Sequence, residues 1–238
     1  MQKILSSLRK AIEYFNMIDE GDRIAIALSG GKDSITMMLA LKNLQIFYPK
    51  KFEIIAISIN PGFEKFDTSF LENLCKEIDI PLFIENTRAK EIVFDIRKEK
   101  NPCSLCANLR RGALNSVAIE HNCNKIALGH NLEDALETFL LNTLYTGNIS
   151  TFAPKAYMDR SQMTVIRPLI FTYEKDIKAF IKRNNITVME KCCPYDGISK
   201  REDMKVLLNN LRKDIPRVKE NLLGAILRSD IKGWNEKM

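Results

Sequence analysis

The sequence lacks the features that would assign it to a membrane, secreted or repeat protein. It has no run of roughly 18 apolar residues, which a membrane-spanning helix would need. Residues 1–23 contain no uninterrupted apolar stretch of the signal-peptide type, and the chain has no internal repeat or low-complexity tract. These absences predict a cytoplasmic protein with no membrane partner.

The chain is also too short for two full domains. Its 238 residues, 45% of them hydrophobic, are enough for one substantial core and a small appendage. We predict an N-terminal helix in residues 1–20, a main domain in residues 21–195, and a basic helical extension in residues 196–238.

Positive charge is concentrated in the last third of the sequence. The formal net charge is +6, and residues 155–238 hold 18 of the 36 Lys and Arg but only 11 of the 30 Asp and Glu. A positive surface there would attract a polyanion such as RNA, although solvated helix faces would give the same count. The charge therefore supports an RNA partner without proving one.

Short apolar runs alternate with segments of helical periodicity, which predicts an α/β domain with a parallel sheet covered on both faces. The predicted strands are residues 23–29, 52–59, 81–87 and 125–130. The predicted helices are residues 35–44, 67–78 with Asp67 as the cap, 104–121, 132–144, 174–185, and a wholly helical 199–229. Residues 146–163 are predicted to form an irregular loop or a hairpin.

The segment SGGKDS at residues 29–34 lies between the first predicted strand and the next helix. Two glycines let the backbone approach an anion, the helix N-terminus offers free N–H groups, and Lys32 supplies a positive charge. The spacing is not that of a Walker A loop, which disfavours hydrolysis at the γ-phosphate. The candidate nucleotide-binding residues are Ser29, Gly30, Gly31, Lys32, Asp33 and Ser34.

A second candidate segment, GHNLEDALET at residues 129–138, also joins a strand end to a helix start. Asp134 would face the same crevice as Asp33, and Glu137 would follow one turn later. Acidic residues also complement a helix dipole, but the position of Asp134 after Gly129 and His130 favours a role in metal binding or substrate activation. His130 either lines the nucleotide site or only ends the strand.

Six cysteines without a secretion signal indicate metal or redox chemistry. Cys103 and Cys106 begin a predicted helix, and the tandem pair Cys192 and Cys193 offers a third thiolate. Three cysteine ligands would leave one iron of a [4Fe–4S] cluster without a protein ligand, whereas four would suit a structural zinc. Cys75, on an apolar helix face, is expected in the core.

These motifs together resemble known families. SGGKDS is similar to the PP-loop of ATP pyrophosphatases, which cleave ATP between the α and β phosphates, and 129–138 resembles a second signature of that superfamily. With CSLCANLRRG (103–112) and VIRPL (165–169), the match over roughly residues 20–200 resembles tRNA 2-thiolation enzymes, especially the tRNA 2-thiocytidine synthetase family. The resemblance implies a Rossmann-like parallel sheet of the adenine nucleotide alpha hydrolase type with a helical C-terminal extension.

The resemblance also implies cofactors, partners and residue roles. The cofactors would be ATP, Mg²⁺ and a [4Fe–4S] cluster, and the partners tRNA, a sulfur donor (sulfide or a cysteine desulfurase) and a second copy of the chain in a homodimer. Asp33 would hold Mg²⁺, and the cluster ligands would be Cys103, Cys106 and one of the tandem pair, with Cys193 favoured because it precedes a proline. The candidate catalytic residues are Lys32, Asp33, Arg110 and Asp134.

The implied reaction is adenylation of a pyrimidine carbonyl, at C2 of a cytidine, followed by sulfur transfer with release of AMP and pyrophosphate. The tandem cysteines depart from the second CxxC that is common in the 2-thiocytidine branch, so a tRNA uridine or a small molecule stays open as the substrate. A persulfide on one cysteine is an alternative sulfur carrier. A sulfur-free enzyme resembling tRNA lysidine synthetase, with structural zinc, is a further alternative, as is a non-catalytic RNA-binding module.

Overall fold

The computed structural model describes residues 1–64, 66–98, 102–189, 193 and 200–235. The helices are α1 (Gln2–Tyr14), α2 (Lys32–Leu44), α3 (Ser69–Glu77), α4 (Pro102–Glu120), α5 (Leu132–Leu141), α6 (Glu174–Arg183), α7 (Lys200–Asp214) and α8 (Val218–Arg228). The strands are β1 (Asp22–Ala27), β2 (Phe52–Asn60), β3 (Leu82–Asn86), β4 (Lys125–Ala127), β5 (Lys155–Met158) and β6 (Met163–Ile166). Short π-helical segments occupy Glu91–Ile96 and Asn142–Thr146.

The six strands form one sheet in the order β3-β2-β1-β4-β6-β5. Every neighbouring pair is parallel except β5 and β6, which form an antiparallel hairpin at one edge. The chain builds outward from β1 to β2 and β3, and then returns to the other side of β1 with β4. The loops after β1 and β4 therefore diverge at a topological switch point, where open α/β sheets bind ligands.

Apolar side chains cover both faces of the sheet, as the alternating pattern predicts. On β2, Ile54 and Ala56 face a core built with α1, α2 and α6, whereas Ile55 and Ile57 face a smaller core with α4. This alternation follows from the period of two in a strand, and burial on both faces explains why β2 reads as a continuous apolar run.

The C-terminal helices pack into the main core. Met204 and Leu208 of α7 and Ile226 of α8 are buried. Trp234 is fully buried, its ring lies edge-on 5.8 Å from that of Phe15, and its indole N–H donates to the Phe152 carbonyl at 2.9 Å. The last helices are thus held against both the N-terminal helix and the centre of the molecule.

Most predicted elements are confirmed, and the exceptions have local causes. Residues 199–229 are not one helix, because the chain turns at residues 215–217, where Pro216 has no backbone N–H to donate. The cap of α3 is Thr68 rather than Asp67, although the Asp67 carboxylate accepts the Ser69 N–H at 2.9 Å. The predicted helix 132–144 ends as an α-helix at Leu141 and continues as a π-helical segment. None of the helices in the described ranges is long and apolar enough to span a membrane.

Candidate functional site

The segment Ser29–Ser34 forms a tight loop at the carboxyl end of β1. Gly30 has φ +77°, and a Cβ atom there would lie 2.8 Å from the Cβ of Met189, so this position needs glycine. Gly31 caps α2 in an extended conformation, and the Ser29 and Ser34 hydroxyl oxygens lie 3.1 Å apart. The N–H groups of the first turn of α2 therefore join two hydroxyls in a cradle that suits phosphate.

The end of β4 packs directly against this loop. A Cβ atom on Gly129 would lie 3.0 Å from the backbone nitrogen of Ser34 and 3.1 Å from the carbonyl carbon of Asp33. Any side chain larger than that of glycine would push the two loops of the switch point apart. Gly129 thus packs against the cradle, and it is not among the described residues that line the cavity.

Asn131 links the two aspartates predicted to bind a metal. Its side-chain N–H donates to Asp33 at 3.0 Å, its backbone N–H donates to Asp134 at 2.9 Å, and its side-chain oxygen accepts the Asp134 N–H at 3.3 Å. Asp134 is therefore also a helix-capping residue of α5, in addition to facing Asp33. Sequence reasoning missed Asn131; its place as a cap directly before an Asp at N3 was the available signal.

The electrostatics of this aspartate pair favour a cation. Burial raises the pKa of Asp134, and the nearby charge of Asp33 raises it further, although the hydrogen bond from Asn131 acts in the opposite direction. The charge of Asp33 thus disfavours ionisation of Asp134, and a divalent cation bound beside both carboxylates would relieve their repulsion. Asp33 and Asp134 therefore have the oxygen donors and charge that Mg²⁺ prefers beside phosphates.

Glu174, at the start of α6, holds three lysines around the cradle. Its carboxylate lies 3.1 Å from the Lys32 amine, 3.0 Å from Lys178 and 3.4 Å from Lys205. Burial alone would raise the pKa of Glu174, but its hydrogen bonds and charge contacts with these lysines lower the pKa to about 2. Together with Asp33, which is 2.7 Å from Lys32, two carboxylates face three amines. One positive charge is left over for an anionic ligand.

The phosphate cradle and the predicted cluster ligands share one cavity of about 650 Å³. Residues of the cradle form one wall, and Cys106, Arg110 and Cys193 line another. The remaining lining is largely apolar and includes residues after β2 that suit a nucleotide base. The described lining consists of Ser29, Gly31, Lys32, Asp33, Ile59, Pro61, Phe63, Phe66, Cys106, Arg110, Glu174, Lys178, Val188, Met189, Cys193 and Lys205.

Three free thiols lie close to one another, and two of them, Cys106 and Cys193, line this cavity. Cys103 is exposed, and Cys106 and Cys193 are half-buried. Burial raises the pKa of Cys106, the charge of Arg110 opposes that rise, and the charges of Cys193 and Cys103 add to it. The three thiols are thus near enough to interact electrostatically, and Arg110 favours the thiolate of Cys106.

The donor set fits an iron–sulfur cluster. Among the described residues, no three His, Cys, Asp or Glu side chains are arranged to hold a single metal ion. A cluster contributes its own irons and sulfides, so its cysteine ligands lie further apart than those of one ion. Cys192, the fourth candidate ligand, lies outside the described residues. Cys75 is buried in the core as expected, with the pKa of its thiol raised by burial to about 11.

A backbone contact ties the phosphate cradle to the segment that carries Cys193. The N–H of Met189 donates to the Gly30 carbonyl at 2.8 Å, and the Met189 side chain packs over Gly30. Movement of the cradle when a nucleotide binds would therefore move the chain four residues before the third thiol. No sequence pattern indicated this contact.

His130 lies among positive charges rather than along the described lining of the cavity. Burial, together with the charges of Arg167, Arg201 and Arg111, lowers its pKa to about 3, so the imidazole is neutral at physiological pH. Its ring centroid lies 4.9 Å from that of Phe152. A neutral imidazole with this pKa is a poor general acid, and of the two roles considered for His130, the structure gives no support to a place in the nucleotide cavity.

Glu137 is 5% exposed, and burial together with the charge of Asp134 raises its pKa to about 7. The pKa of Glu137 in the folded protein lies above the ordinary 4.5, so the protonated side chain gives the fold its full stabilisation below pH 4.5. This stabilisation is lost as the pH rises through 7. At most about 3 kcal/mol is lost in this way, at 1.36 kcal/mol per unit of pKa. We expect Glu137→Gln to be more stable than the wild type at pH 8, and not at pH 5, in urea unfolding monitored by circular dichroism. A stability difference that does not vary with pH would contradict this expectation.

Comparison with known proteins agrees with this arrangement. Residues 2–205 match the PP-loop domain family. The chain is 41% identical over 228 residues to the tRNA-cytidine(32) 2-sulfurtransferase of Syntrophotalea carbinolica, covering 94% of this chain and 88% of that one. It is 39% identical over 227 residues to the enzyme of the same name from Citrifermentans bemidjiense, with 94% and 89% covered.

Among solved structures, the chain resembles the U34-tRNA thiolase NcsA from Methanococcus maripaludis with its [4Fe–4S] cluster. The TM-score is 0.74 at 26% sequence identity, and the match covers 92% of this chain and 76% of the thiolase. An NH₃-dependent NAD synthetase from Campylobacter jejuni, at 17% identity and a TM-score of 0.51, shares the fold alone.

Proposed function

The chain belongs to the tRNA-cytidine(32) 2-sulfurtransferase family of PP-loop proteins, and from that premise we propose that it is an ATP-dependent enzyme that replaces O2 of a tRNA cytidine with sulfur. One observation carries the proposal: the phosphate cradle and the free thiols of Cys106 and Cys193 line the same cavity, and Cys103 lies near enough to Cys106 to interact with it electrostatically. An enzyme that activates a carbon with ATP and then delivers sulfur to it needs both groups within reach of one substrate atom.

The cradle and its aspartates would perform the activation step. Residues 29–34 would bind the ATP phosphates, and Asp33 and Asp134 would hold Mg²⁺, which would supply positive charge beside those phosphates. Attack of the cytidine O2 on the α-phosphorus forms the O–P bond, breaks the α–β bridge and releases pyrophosphate. Lys32 would stabilise the charge that develops on the leaving group, because Glu174 keeps its amine beside the cradle.

The thiols would serve the second step. Cys103, Cys106 and Cys193 fit the ligand set of a [4Fe–4S] cluster, which with three cysteine ligands has one iron free to bind sulfur. Incoming sulfur forms the C–S bond at C2, and the C2–O bond breaks with its electron pair leaving on AMP. Arg110 lines the same wall as Cys106 and would stabilise the negative charge of AMP as it departs.

The substrate of the proposed enzyme is tRNA. Its sulfur donor is sulfide or a cysteine desulfurase, and the sulfur is delivered to the cavity that is lined by thiols. The resemblance further implies a homodimer and a cytoplasmic enzyme. Sedimentation of the purified chain at several concentrations tests the dimer directly.

Reconstitution tests this function. Anaerobically purified protein, supplied with unmodified tRNA, Mg²⁺, sulfide and ATP, should produce 2-thiocytidine, detected by mass spectrometry of digested nucleosides, with one AMP and one pyrophosphate for each product. ATP with a methylene group between the α and β phosphates should not support the reaction, whereas the β,γ-methylene analogue should. Release of inorganic phosphate, or formation of a thiouridine instead, would overturn the proposal.

A further inference from the structure

Three arginines from separate elements gather beside the switch point. Arg111 comes from α4, Arg167 follows β6, and Arg201 begins α7. The charges of all three lower the pKa of His130, and that of Arg111 also lowers the pKa of Arg167, which burial reduces to about 10. The guanidinium of Arg167 lies 4.8 Å from the ring centroid of Phe152, whose ring in turn contacts His130. These groups therefore surround one location.

Carboxylates interact with this cluster only at longer range within the described ranges, where the charge of Arg201 acts to lower the pKa of Asp134 and of Glu137. None of the ion pairs there involves Arg111, Arg167 or Arg201; instead, Arg167 donates to the Ala153 carbonyl at 2.6 Å and Arg201 to the Thr138 hydroxyl at 2.9 Å. By contrast, the carboxylate of Glu174 satisfies three lysines nearby. Three guanidinium groups repel one another, and none of them forms an ion pair in the described ranges, so their gathering indicates an anionic ligand.

Two buried nitrogen atoms in the cluster also lack partners. Nδ1 of His130 and Nε of Arg167 are inaccessible and have no hydrogen-bond partner within the described part of the chain. Buried polar atoms in folded proteins are almost always hydrogen-bonded, and exceptions call for a missing ligand or water. Both atoms lie in the group that carries the unpaired charge, so the two observations point to the same site.

Two exposed apolar side chains lie on the segment that follows α5, and the contact of one of them with the residue before Arg201 indicates which anion binds. Tyr145 is 51% exposed and Ile149 is 70% exposed, on the segment that follows α5. The Lys200 amine lies 5.3 Å from the Tyr145 ring centroid, and Lys200 directly precedes Arg201. An aromatic ring beside a cation recognises an unpaired nucleotide, because the ring stacks on the base while the cation contacts the phosphate. A free phosphate or pyrophosphate has no base that could stack on the ring.

We propose that Arg111, Arg167 and Arg201 bind a backbone phosphate of the RNA substrate, and that Tyr145 stacks on an unpaired base next to that phosphate. This inference rests on the proposed function and specifies how the target nucleotide is positioned. The site lies beside the end of β4, next to the nucleotide cavity. A phosphate held there fixes the RNA backbone while the neighbouring base enters the cavity.

The charge-neutralising pair Arg111→Gln/Arg201→Gln tests the phosphate site, because both side chains are exposed and the fold does not depend on them. The matched control is Arg23→Gln/Lys51→Gln, which removes the same charge at the opposite, amino edge of the sheet. We expect the Kd for tRNA to rise about tenfold or more, as loss of a charged hydrogen bond typically produces. The slope of log Kd against log salt concentration should fall by about 0.7 for each lost phosphate contact. The control should change neither quantity to this extent.

The stacking contact has its own test. Tyr145→Ala should weaken tRNA binding by about fivefold or more, and Tyr145→Phe should restore it, because stacking needs the ring and not the hydroxyl. Equal effects of the two substitutions would overturn the stacking role.

The outcomes separate this inference from the proposed function. Tight tRNA binding and unchanged salt dependence in the Arg111/Arg201 double variant, with thiolation intact, would overturn the phosphate site alone. A tenfold weaker inhibition by inorganic pyrophosphate, without a change in tRNA affinity, would assign the arginines to the leaving group instead. A wild-type chain that binds no tRNA would overturn both.

Discussion

Replacement of Cys106 by alanine is expected to remove the iron–sulfur cluster and to lower thiolation by more than about a hundredfold, while ATP still binds. Loss of an outer hydrogen-bond partner of a metal ligand typically reduces metal affinity or activity by about 10–100-fold, and loss of a ligand should exceed that. Cys106 lies on α4, outside the loop that forms the phosphate cradle, so the cradle should keep its geometry. Iron and sulfide analysis, the visible spectrum and ATP calorimetry on anaerobic protein measure the two effects separately.

Cys123→Ala is the matched control for this substitution. Cys123 is buried between α4 and β4, at the amino edge of the sheet, and should retain full iron content and activity when replaced. Comparing Cys192→Ala with Cys193→Ala then identifies the third ligand, and we expect only the Cys193 variant to lose the cluster. Thiolation at the wild-type rate by the Cys106 variant would refute the role of the cluster.

The sheet could be predicted from the sequence because its strands are buried on both faces. Runs such as Ile54–Ile59 have no polar alternation, and an element of this kind must lie in the middle of a parallel sheet. The break at Pro216 was missed even though proline gives a clear local signal. The π-helical segments were not predictable, since the same residues have ordinary helical periodicity and only tertiary packing selects the wider turn.

The two loops of the candidate site were predictable for a related reason. Each is defined by residues that lie close together in the sequence: Ser29–Ser34 after β1, and Gly129–Asp134 after β4. Both follow strands, and the carboxyl ends of neighbouring parallel strands meet at one edge, so their meeting follows from topology alone. Sequence spacing was sufficient to place Asp33 and Asp134 on the same side of the sheet.

Contacts between residues that are far apart in the sequence were not predictable. Glu174 reaches Lys32 over more than a hundred residues, and Arg111, Arg167 and Arg201 come from three separate elements. In a single sequence each of these residues resembles an ordinary charged side chain on a helix or loop surface. Only the folded chain shows that one carboxylate holds three lysines, while none of the three arginines forms an ion pair with a carboxylate in the part of the chain that the structure describes.

The difference between the lysine group around Glu174 and the arginine cluster suggests that the two groups serve different ligands. Carboxylates nearly neutralise the lysine group around Glu174, and these ion pairs keep Lys32 in place without a ligand. The free energy needed to organise the cradle when ATP binds is therefore small. The arginine cluster forms no ion pair in the described ranges, so under the proposed RNA contact it gains its partner only when a polyanion binds. The lysines, already held in place by carboxylates, suit the small ligand ATP, and the arginines, which form no ion pair in the described ranges, suit the large ligand RNA. This arrangement is consistent with a reaction that requires both ligands together.

Replacement of Asp33 by asparagine is expected to lower the rate of tRNA adenylation by about 10²–10³-fold, the range typical for loss of one preorganised electrostatic group. The asparagine oxygen can still accept the hydrogen bond from Asn131, so the loops should stay joined, but the charge that pairs with Lys32 and that would hold Mg²⁺ is lost. Release of pyrophosphate in the presence of tRNA measures the step, and iron content and tRNA affinity should match the wild type. Asp176→Asn, an equal change on the neighbouring helix α6, should leave the rate unchanged. Because the cluster depends on thiols from the other wall of the cavity, an Asp33 variant that loses iron as well as activity would contradict the division of the site into a cradle that activates and thiols that deliver sulfur.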